Sequence, residues 1–356
     1  MLTFQPSALR AVTHLIARRM GSDEAEATEV ADHLVRANLA GHDSHGVGML
    51  PTYVRLLHDK LLVPNQTPET ILDAGALLIV DARRGYGQRM AADAVRRAIG
   101  KAREHGACVL GLRDSAHIGR IGTYAEQAVS QGCAWISFVN VADHRDVQAT
   151  FGAAEPRLGT NPFTAAVPGP NGEPVLLDMA TTTIAAGKAR VAYNKGVKVA
   201  DDCLIDENGA PTNDPAGYIR DHLGALKSFG LHKGSGLAVM CEIMATAVAG
   251  GQAAHDPQKG GVLNSMLAIV IDLAKLGDPA AIAAAAGATR AHIKSAKPAH
   301  GVKEVLTPGE PERMAAAKRN VAGIEVDDQT WSDIRAAAVS LGITDAEFEQ
   351  ASRANA

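Results

Sequence analysis

From about residue 70 the chain alternates short apolar runs of strand length with amphipathic helical patterns. The runs ALLIVDA, ACVLGLR and CAWISFV are strand-like, and QRMAADAVRRAIGKAREHG and TYAEQAVSQG between them have apolar residues at helical spacing. This alternation predicts an α/β layer, in which ligand-binding groups gather in loops at strand ends. Polar stretches stand at those places, in DSAHIG, NVADHR, GTNP and DMATTT.

Helical patterns flank this layer on both sides. SALRAVTHLIARRMG, SDEAEATEVADHLVRANLAG and PTYVRLLHDKL precede it, and an alanine-rich helix and a final amphipathic helix follow it from about residue 275. The stretch GLHKGSGLAVMCEIMATAVAGG is nearly all apolar, which predicts a glycine-rich turn feeding a buried helix.

Composition excludes several classes of protein. The 356 residues carry a net charge of −4 without a basic run, so neither nucleic acid nor a membrane surface is expected as a partner. The N-terminus has no signal-peptide pattern, and no run of about 18 apolar residues occurs. The four cysteines form no C-x-x-C pair, which favours buried reduced thiols and a cytoplasmic protein.

The stretch GHDSHGVGMLPTYV, residues 41–54, places two histidines in a predicted loop between helices. A histidine is the usual proton shuttle near neutral pH, and a neighbouring hydroxyl such as that of Ser44 can hold it. His42 and His45 also have the H-x-x-H spacing of some metal ligands, but neither a nearby cysteine nor H-E-x-x-H accompanies them, so no metal is expected. Spacing alone leaves a helix-capping loop and a catalytic loop equally open.

A second candidate site follows the strand ACVLGLR. His117 lies between this strand and a helix start, where the backbone N–H groups of residues 118–123 can cradle a phosphate beside Arg120. The alternative is a polar loop capped by Thr123. Lys233 in HKGSG offers an ammonium beside a glycine-rich turn, or a solvated side chain only.

Three common site motifs do not occur in the sequence. There is no G-x-G-x-x-G after a strand, no G-x-x-x-x-G-K-[ST] and no G-x-S-x-G. Neither a Rossmann nor a P-loop nucleotide site is therefore predicted. The residues by themselves indicate an α/β enzyme with histidine acid/base groups.

A set of motifs in order along nearly the whole chain resembles the type 2 malate/L-lactate dehydrogenase family. These motifs are GHDSHGVGMLPTYV, SAHIGRIG, LGTNPF, LLDMATT, NGAPTNDP, HKGSGLAVMCEI and LTPGEPE. The form of the first two is most similar to the bacterial hydroxycarboxylate dehydrogenase branch. The resemblance implies hydride transfer between NAD or NADP and a small 2-oxo or 2-hydroxy acid, in a homodimer.

The resemblance also implies a mixed α/β fold with a non-Rossmann, β-rich NAD(P)-binding domain. A helical domain would be built from the N- and C-terminal segments. The expected divisions are residues 1–70, helical with the acid/base loop; residues 71–231, the mixed-sheet cofactor-binding domain; and residues 232–356, a helical segment packing on the N-terminal part.

Site residues follow from the same resemblance. His45 corresponds to the proton donor, Ser44 to a residue that hydrogen-bonds it, and His117 to a second acid/base candidate. The implied substrate-side residues are Tyr53, Arg120 and Thr160. The implied cofactor-lining residues are His117, Ile118, Gly119, Asn140, Asp178, Met179, Ala180, Thr181, Lys233, Gly234, Leu306, Thr307, Pro308 and Gly309.

Two positions depart from many members of the family. Met49 stands where many carry an arginine that can grip a substrate carboxylate, so a more apolar pocket is expected, with Arg120 as the substitute cation. Lys188 stands near a position where some carry an acid that supports the histidine. Asp43 is the expected replacement for that acid.

Two other functions stay open at this point. The same fold could reduce a cyclic imine or a sugar-derived diketo acid, and a substrate panel would separate these. A non-catalytic metabolite-binding relative is the third reading, which the presence of both His45 and His117 disfavours.

Overall fold

The helices and strands of the chain follow the predicted alternation. The computed structural model describes residues 1–354. Its helices are α1 (Pro6–Arg19), α2 (Glu24–Leu39), α3 (Leu50–His58), α4 (Gly87–His105), α5 (Gly122–Val129), α6 (Ala186–Asn194), α7 (His232–Ile243), α8 (Pro279–Lys294), α9 (Glu310–Ala322), α10 (Asp328–Ser340) and α11 (Asp345–Ser352). Its strands are β1 (Leu2–Phe4), β2 (Glu69–Ala74), β3 (Leu77–Asp81), β4 (Ala107–Ala116), β5 (Cys133–Ala142), β6 (Gln148–Ala149), β7 (Pro156–Leu158), β8 (Phe163–Val167), β9 (Val175–Met179), β10 (Leu204–Ile205), β11 (Pro211–Thr212), β12 (Ala225–Lys227), β13 (Leu263–Asp272) and β14 (Ile324–Val326).

A seven-stranded mixed sheet in the order β2-β3-β4-β13-β5-β8-β9 carries the main core. Only β3 and β4 are parallel neighbours in it, and α4 makes the crossover that a parallel pair requires. Side chains of α4, α5 and the sheet form one buried cluster around Val95, Tyr124 and Trp135. A smaller five-stranded sheet has the order β11-β10-β12-β6-β7.

The two ends of the chain form a second core together. Leu9, Ile16 and Leu34 from the N-terminal helices share one buried cluster with Trp331 and Phe348 from the C-terminal helices. Strands β1 and β14 pair antiparallel beside it. This confirms the predicted mixed α/β fold with a helical part built from both chain ends.

Strand β13 corrects the expectation that residues 232–356 are helical throughout. It lies between β4 and β5 in the middle of the large sheet, paired antiparallel to both. Its segment MLAIVI is uniformly apolar because both faces of this central strand are covered. A short apolar run of this kind cannot be told from a buried helix by periodicity.

Helix α7 corrects a second expectation, since it is not buried within this chain. Val239, Met240 and Ile243 are each more than a third exposed, and Leu231 before the helix is 60% exposed. All four cysteines are free and buried, as the sequence predicts. Among residues 1–354 no helix combines the length and the apolarity that crossing a bilayer requires.

Candidate active site

The acid/base loop connects α2 to α3 through two short 3₁₀ turns, Asp43–His45 and Val47–Met49. Asn38 in α2 holds both turns: its Oδ1 accepts from Val47 N at 2.9 Å, and its Nδ2 donates to Asp43 Oδ1 at 2.7 Å. Arg319 in α9 donates to both carboxylate oxygens of Asp43, at 2.7 and 2.9 Å. Asp43 therefore fixes the loop, and the expectation that it supports His45 is wrong.

Gly46 lets Asn38 reach this loop. A Cβ at position 46 would lie 2.1 Å from Asn38 Oδ1, so Gly46→Ala must displace the Asn38 amide and break its bonds to the loop. We expect kcat to fall by about tenfold or more because the loop that carries His45 loses its register. Steady-state kinetics would measure this, with Gly48→Ala as the control, since its Cβ would meet only ordinary contacts. Equal kcat values for both variants would contradict the role of Asn38.

A chain of hydrogen bonds runs inward from His45. His45 Nδ1 lies 3.2 Å from His117 Nε2, and His117 Nδ1 lies 2.8 Å from Tyr53 Oη. Gln88 Nε2 donates to the same Tyr53 oxygen at 2.7 Å. The structure thus brings together the two predicted histidines, which are 72 residues apart in sequence, and leaves Nε2 of His45 without a protein partner among the described residues.

Burial keeps both histidines neutral in the free protein. Loss of solvent, with His42 and the Arg120 guanidinium nearby, lowers the pKa of His45 to about 4. Burial and the neighbouring histidines, His45 foremost, lower the pKa of His117 well below its usual value. Burial also raises the pKa of Tyr53, so the phenol keeps its proton. A charged imidazolium at either position would therefore need an anionic group nearby to offset the cost of burying its charge.

His45 lies in the wall of a cleft of about 770 Å³ between the acid/base loop, α6 and the strand ends. This volume suits a small ligand together with part of a cofactor. The predicted site residues in its walls are Ser44, His45, Gly119, Arg120, Thr160, Asp178, Met179 and Ala180. No group of three potential metal-ligating side chains occurs within residues 1–354.

Three predicted residues occupy places other than those expected. Ser44 makes no hydrogen bond to His45 in the described structure, and its Cβ instead packs closely on Gly187 of α6. Tyr53 is only 2% exposed and stands behind His117, because α3 turns it toward the helical core instead of the cleft. Met49 packs against that core as well and does not line the cleft, so it does not make the cleft more apolar as expected.

Arg120 is not free to grip a substrate carboxylate. Its Nη1 bonds Glu126 Oε1 at 2.7 Å, and its Nε lies 3.2 Å from Asp178 Oδ2, although not in hydrogen-bond geometry. The side chain is 3% exposed. Burial alone would lower the pKa of Arg120, but the two carboxylates outweigh it and raise that pKa. The predicted substrate role is therefore replaced by a structural one.

The loop before α5 keeps part of the predicted phosphate cradle. Ile118 N donates to Asn264 Oδ1 at 2.9 Å, and Gly122 N donates to Asp178 Oδ2 at 3.0 Å, so these two amides are used. The amides of residues 119–121 have no protein acceptor within the described chain, and these residues line the cleft. They fit the pyrophosphate of a dinucleotide, which backbone N–H groups near a helix start bind well.

A second cavity of about 330 Å³ adjoins the cleft, with Arg120 and Glu312 in the walls of both. Gly309 lines this second cavity, whereas Thr307 donates to the Glu310 carboxylate through its N and Oγ1 and Pro308 O accepts from Leu176 N. Leu306, the first of the predicted cofactor-lining residues 306–309, is exposed. Of residues 306–309, Gly309 is therefore the one that lines a cavity beside the cleft and could hold part of a cofactor.

The remaining predicted residues do not line the cleft in this chain. Asn140 is fully buried and bonded to Ser265 N and Gln252 O, and Thr181 is bonded to Gln148. Lys233 is exposed at the start of α7, and Gly234 allows close packing on Phe229. Gln88 on α4 and His33 on α2 are not predicted from the sequence, because they carry no local signal beyond the amphipathic periodicity of their helices.

The chain matches known oxidoreductases over nearly its whole length. The sequence profile of the family described as malate/L-lactate dehydrogenase matches residues 4–335. Hydroxycarboxylate dehydrogenase B of Escherichia coli is 42% identical over 96% of this chain and 94% of its own length. A Pseudomonas putida delta(1)-pyrroline-2-carboxylate/delta(1)-piperideine-2-carboxylate reductase is 34% identical over 68% of this chain and 70% of its own.

Solved structures agree with these matches. Sulfolactate dehydrogenase from Methanocaldococcus jannaschii superposes with a TM-score of 0.86 at 30% identity, covering 98% of this chain and 99% of that one. Fold, cleft and matches together define an oxidoreductase acting on hydroxy acids. The chain belongs to the malate/L-lactate dehydrogenase family. This family implies a nicotinamide cofactor and a small hydroxy- or oxo-acid substrate.

Proposed function

We propose that this protein interconverts 2-oxo and 2-hydroxy acids with NADH or NADPH, and that His45 is the general acid/base. The observation that carries the proposal is the placement of His45. Its Nδ1 faces His117, and its ring lies in the cleft wall with Nε2 unpartnered by the described residues. A substrate oxygen in the cleft can therefore meet Nε2.

When bound, a nicotinamide would supply or accept the hydride at C2 of the acid. In reduction the carbonyl oxygen gains negative charge, and a protonated His45 both stabilises that charge and delivers the proton. In oxidation the neutral imidazole, which the low pKa of His45 favours, takes the hydroxyl proton. His117 accepts the Nδ1–H of the imidazolium and so orients it. The free amides of residues 119–121 would hold the pyrophosphate.

Lys188 is the cation we assign to the substrate carboxylate. It follows Gly187, which packs on Ser44, and it lines the cleft without a carboxylate partner among the described residues, since Asp43, Asp178 and Glu312 are paired with other groups. Of the other four cations in the cleft wall, Arg120 and Arg319 are already paired with acids, and Arg190 and Lys195 do not adjoin Gly187 in the chain. A lysine left unpaired beside the acid/base loop can bind an anion there.

Replacing Lys188 with methionine is expected to raise KM for 2-oxo acids by about tenfold or more, with a smaller change in kcat. The side chain keeps its length and loses its charge, so the carboxylate loses about 1.5–3 kcal/mol of charge-assisted bonding. Initial rates at varied substrate concentration would measure this. Lys198→Met, after α6 and outside the cleft wall, is the matched control. A KM equal to that of the control would remove Lys188 from the substrate site.

Cyclic-imine and diketo-acid reduction are the alternatives within the same family, and the first has support from the similarity to the Pseudomonas putida reductase. A panel of 2-oxo acids, cyclic imines and diketo acids, each run with NADH and NADPH at 340 nm, separates them. The proposal expects the highest kcat/KM with a 2-oxo acid. A higher value with an imine would favour the alternative. No oxidation of either cofactor would favour a metabolite-binding relative.

We also infer a homodimer in the cytoplasm. The exposed apolar face of α7, formed by Val239, Met240 and Ile243, supports the dimer because a second copy would remove it from water. Four free thiols support a reducing compartment. Light scattering after size exclusion would show twice the chain mass for the native protein and a single chain mass for Met240→Glu. A native single chain mass would contradict the dimer.

A further inference from the structure

Gln88 is a buried amide whose position is fixed by backbone packing. It is the second residue of α4 and 1% exposed. A Cβ on the preceding Gly87 would lie 2.2 Å from Ala116 O and 2.4 Å from His117 O, so α4 begins directly against the backbone that carries His117. Gln88 therefore reaches Tyr53 from a rigid element, and its Oε1 is buried without a partner in the described structure.

The single hydroxyl proton of Tyr53 gives the chain of bonds a direction. Where Gln88 Nε2 donates to Tyr53, as here, Tyr53 donates to His117 Nδ1. His117 then carries its hydrogen on Nε2 and donates to Nδ1 of His45, which leaves the His45 proton on Nε2. The direction of every hydrogen bond in this chain is therefore set by which atom of the Gln88 amide, Nε2 or Oε1, faces Tyr53.

Rotation of the Gln88 amide reverses the direction of every hydrogen bond in this chain. With Oε1 toward Tyr53, the phenol donates to Gln88 and His117 Nδ1–H donates to Tyr53. His117 Nε2 then accepts from His45 Nδ1–H, and Nε2 of His45 is free to take a proton from a substrate hydroxyl. Protonated His45 needs this arrangement as well, because it carries hydrogen on both nitrogens.

We propose that Gln88 is a positioning residue whose amide, acting through Tyr53 and His117, sets which ring nitrogen of His45 carries the proton. The inference rests on the proposed acid/base function of His45. An amide suits the position because it donates at one end and accepts at the other. The charged and titratable groups around His45 are His117, His42, Arg120 and His33, with Asp178 and Glu312 beyond them.

The first test compares three variants by their kinetics. Gln88→Met neither donates nor accepts, so we expect kcat to fall by about 10- to 100-fold in both directions while KM changes little. In Gln88→Glu the side-chain carboxylate accepts a hydrogen bond from Tyr53, so most of kcat should be retained. The acidic side of the plot of kcat against pH should move to higher pH. Gln127→Met removes a half-buried amide of α5 that bonds only Ala92 O, and should match wild type. A Gln88→Met enzyme with wild-type kcat would overturn the inference.

The second test needs no substrate. Imidazole ¹⁵N shifts in labelled free protein are expected to place the His45 proton on Nε2 in wild type and on Nδ1 in Gln88→Glu. The same tautomer in both proteins would refute the role of Gln88. If the tautomer changes but no 2-oxo acid is reduced by wild type, the proposed function fails and the inference about Gln88 stands.

Discussion

His45→Ala is expected to lower kcat for 2-oxo acid reduction by roughly 10²–10⁴-fold. The His45 imidazole lies in the cleft wall with Nε2 unpartnered by the described residues, and its removal takes away the group that we propose exchanges a proton with the substrate oxygen. The affinity for NADH or NADPH should be nearly unchanged, since the free amides of residues 119–121 stay in place. Single-turnover kinetics and cofactor fluorescence titration measure the two quantities separately.

His58→Ala is the matched control for this variant. His58 is exposed at the end of α3, outside the cleft wall, so its loss should leave turnover as in wild type. Near-normal turnover of His45→Ala would refute its role as general acid/base. A parallel loss of cofactor affinity would instead make His45 a binding residue.

Arg120→Met is expected to lower the free energy of unfolding by about 3–5 kcal/mol, because it breaks a buried ion pair and leaves its partners uncompensated. Asp178 is the partner most affected: burial raises the pKa of this carboxyl, and Arg120 is the nearest charge that opposes the rise. Urea unfolding followed by circular dichroism measures the loss. The double variant with Asp178→Asn should recover part of it, since no buried charge is left at that position.

The same variant separates two accounts of Arg120. If its ion pairs with Glu126 and Asp178 are structural, stability falls and Asp178→Asn restores part of it. If Arg120 instead grips the substrate, KM rises for 2-oxo acids while the urea midpoint stays at its wild-type value. The second result would contradict the role that the geometry indicates.

Local sequence patterns predict three strands of the large sheet and the helices that connect them. The strands β3, β4 and β5 and the helices α4 and α5 coincide with the apolar runs and amphipathic stretches identified in the sequence. Strand β13 was missed because a central strand covered on both faces has no alternation to distinguish it from a buried helix. For helix α7 the apolar composition predicts burial, but Val239, Met240 and Ile243 are exposed in this chain.

Sequence motifs identify candidate residues of the site, but not the contacts that these residues make. His45 and His117 are identified by their motifs, but their contact joins residues far apart in sequence and depends on how α2, α3 and β4 pack. Tyr53 and Arg120 have side chains that suit a substrate, and only the fold shows that each is already bonded to protein groups. Gln88 has no local signal, because its function follows entirely from packing against Tyr53.

Transfer of deuterium is the most direct test of the account. The protein would be given a 2-oxo acid with NADH or NADPH carrying deuterium at C4 of the nicotinamide, and the product examined by mass spectrometry and NMR. Hydride transfer predicts that one of the two C4-labelled stereoisomers places one deuterium at C2 of a 2-hydroxy acid. The same labelled product should form far more slowly with His45→Ala than with wild type. Conversion with both stereoisomers that leaves C2 unlabelled would contradict it.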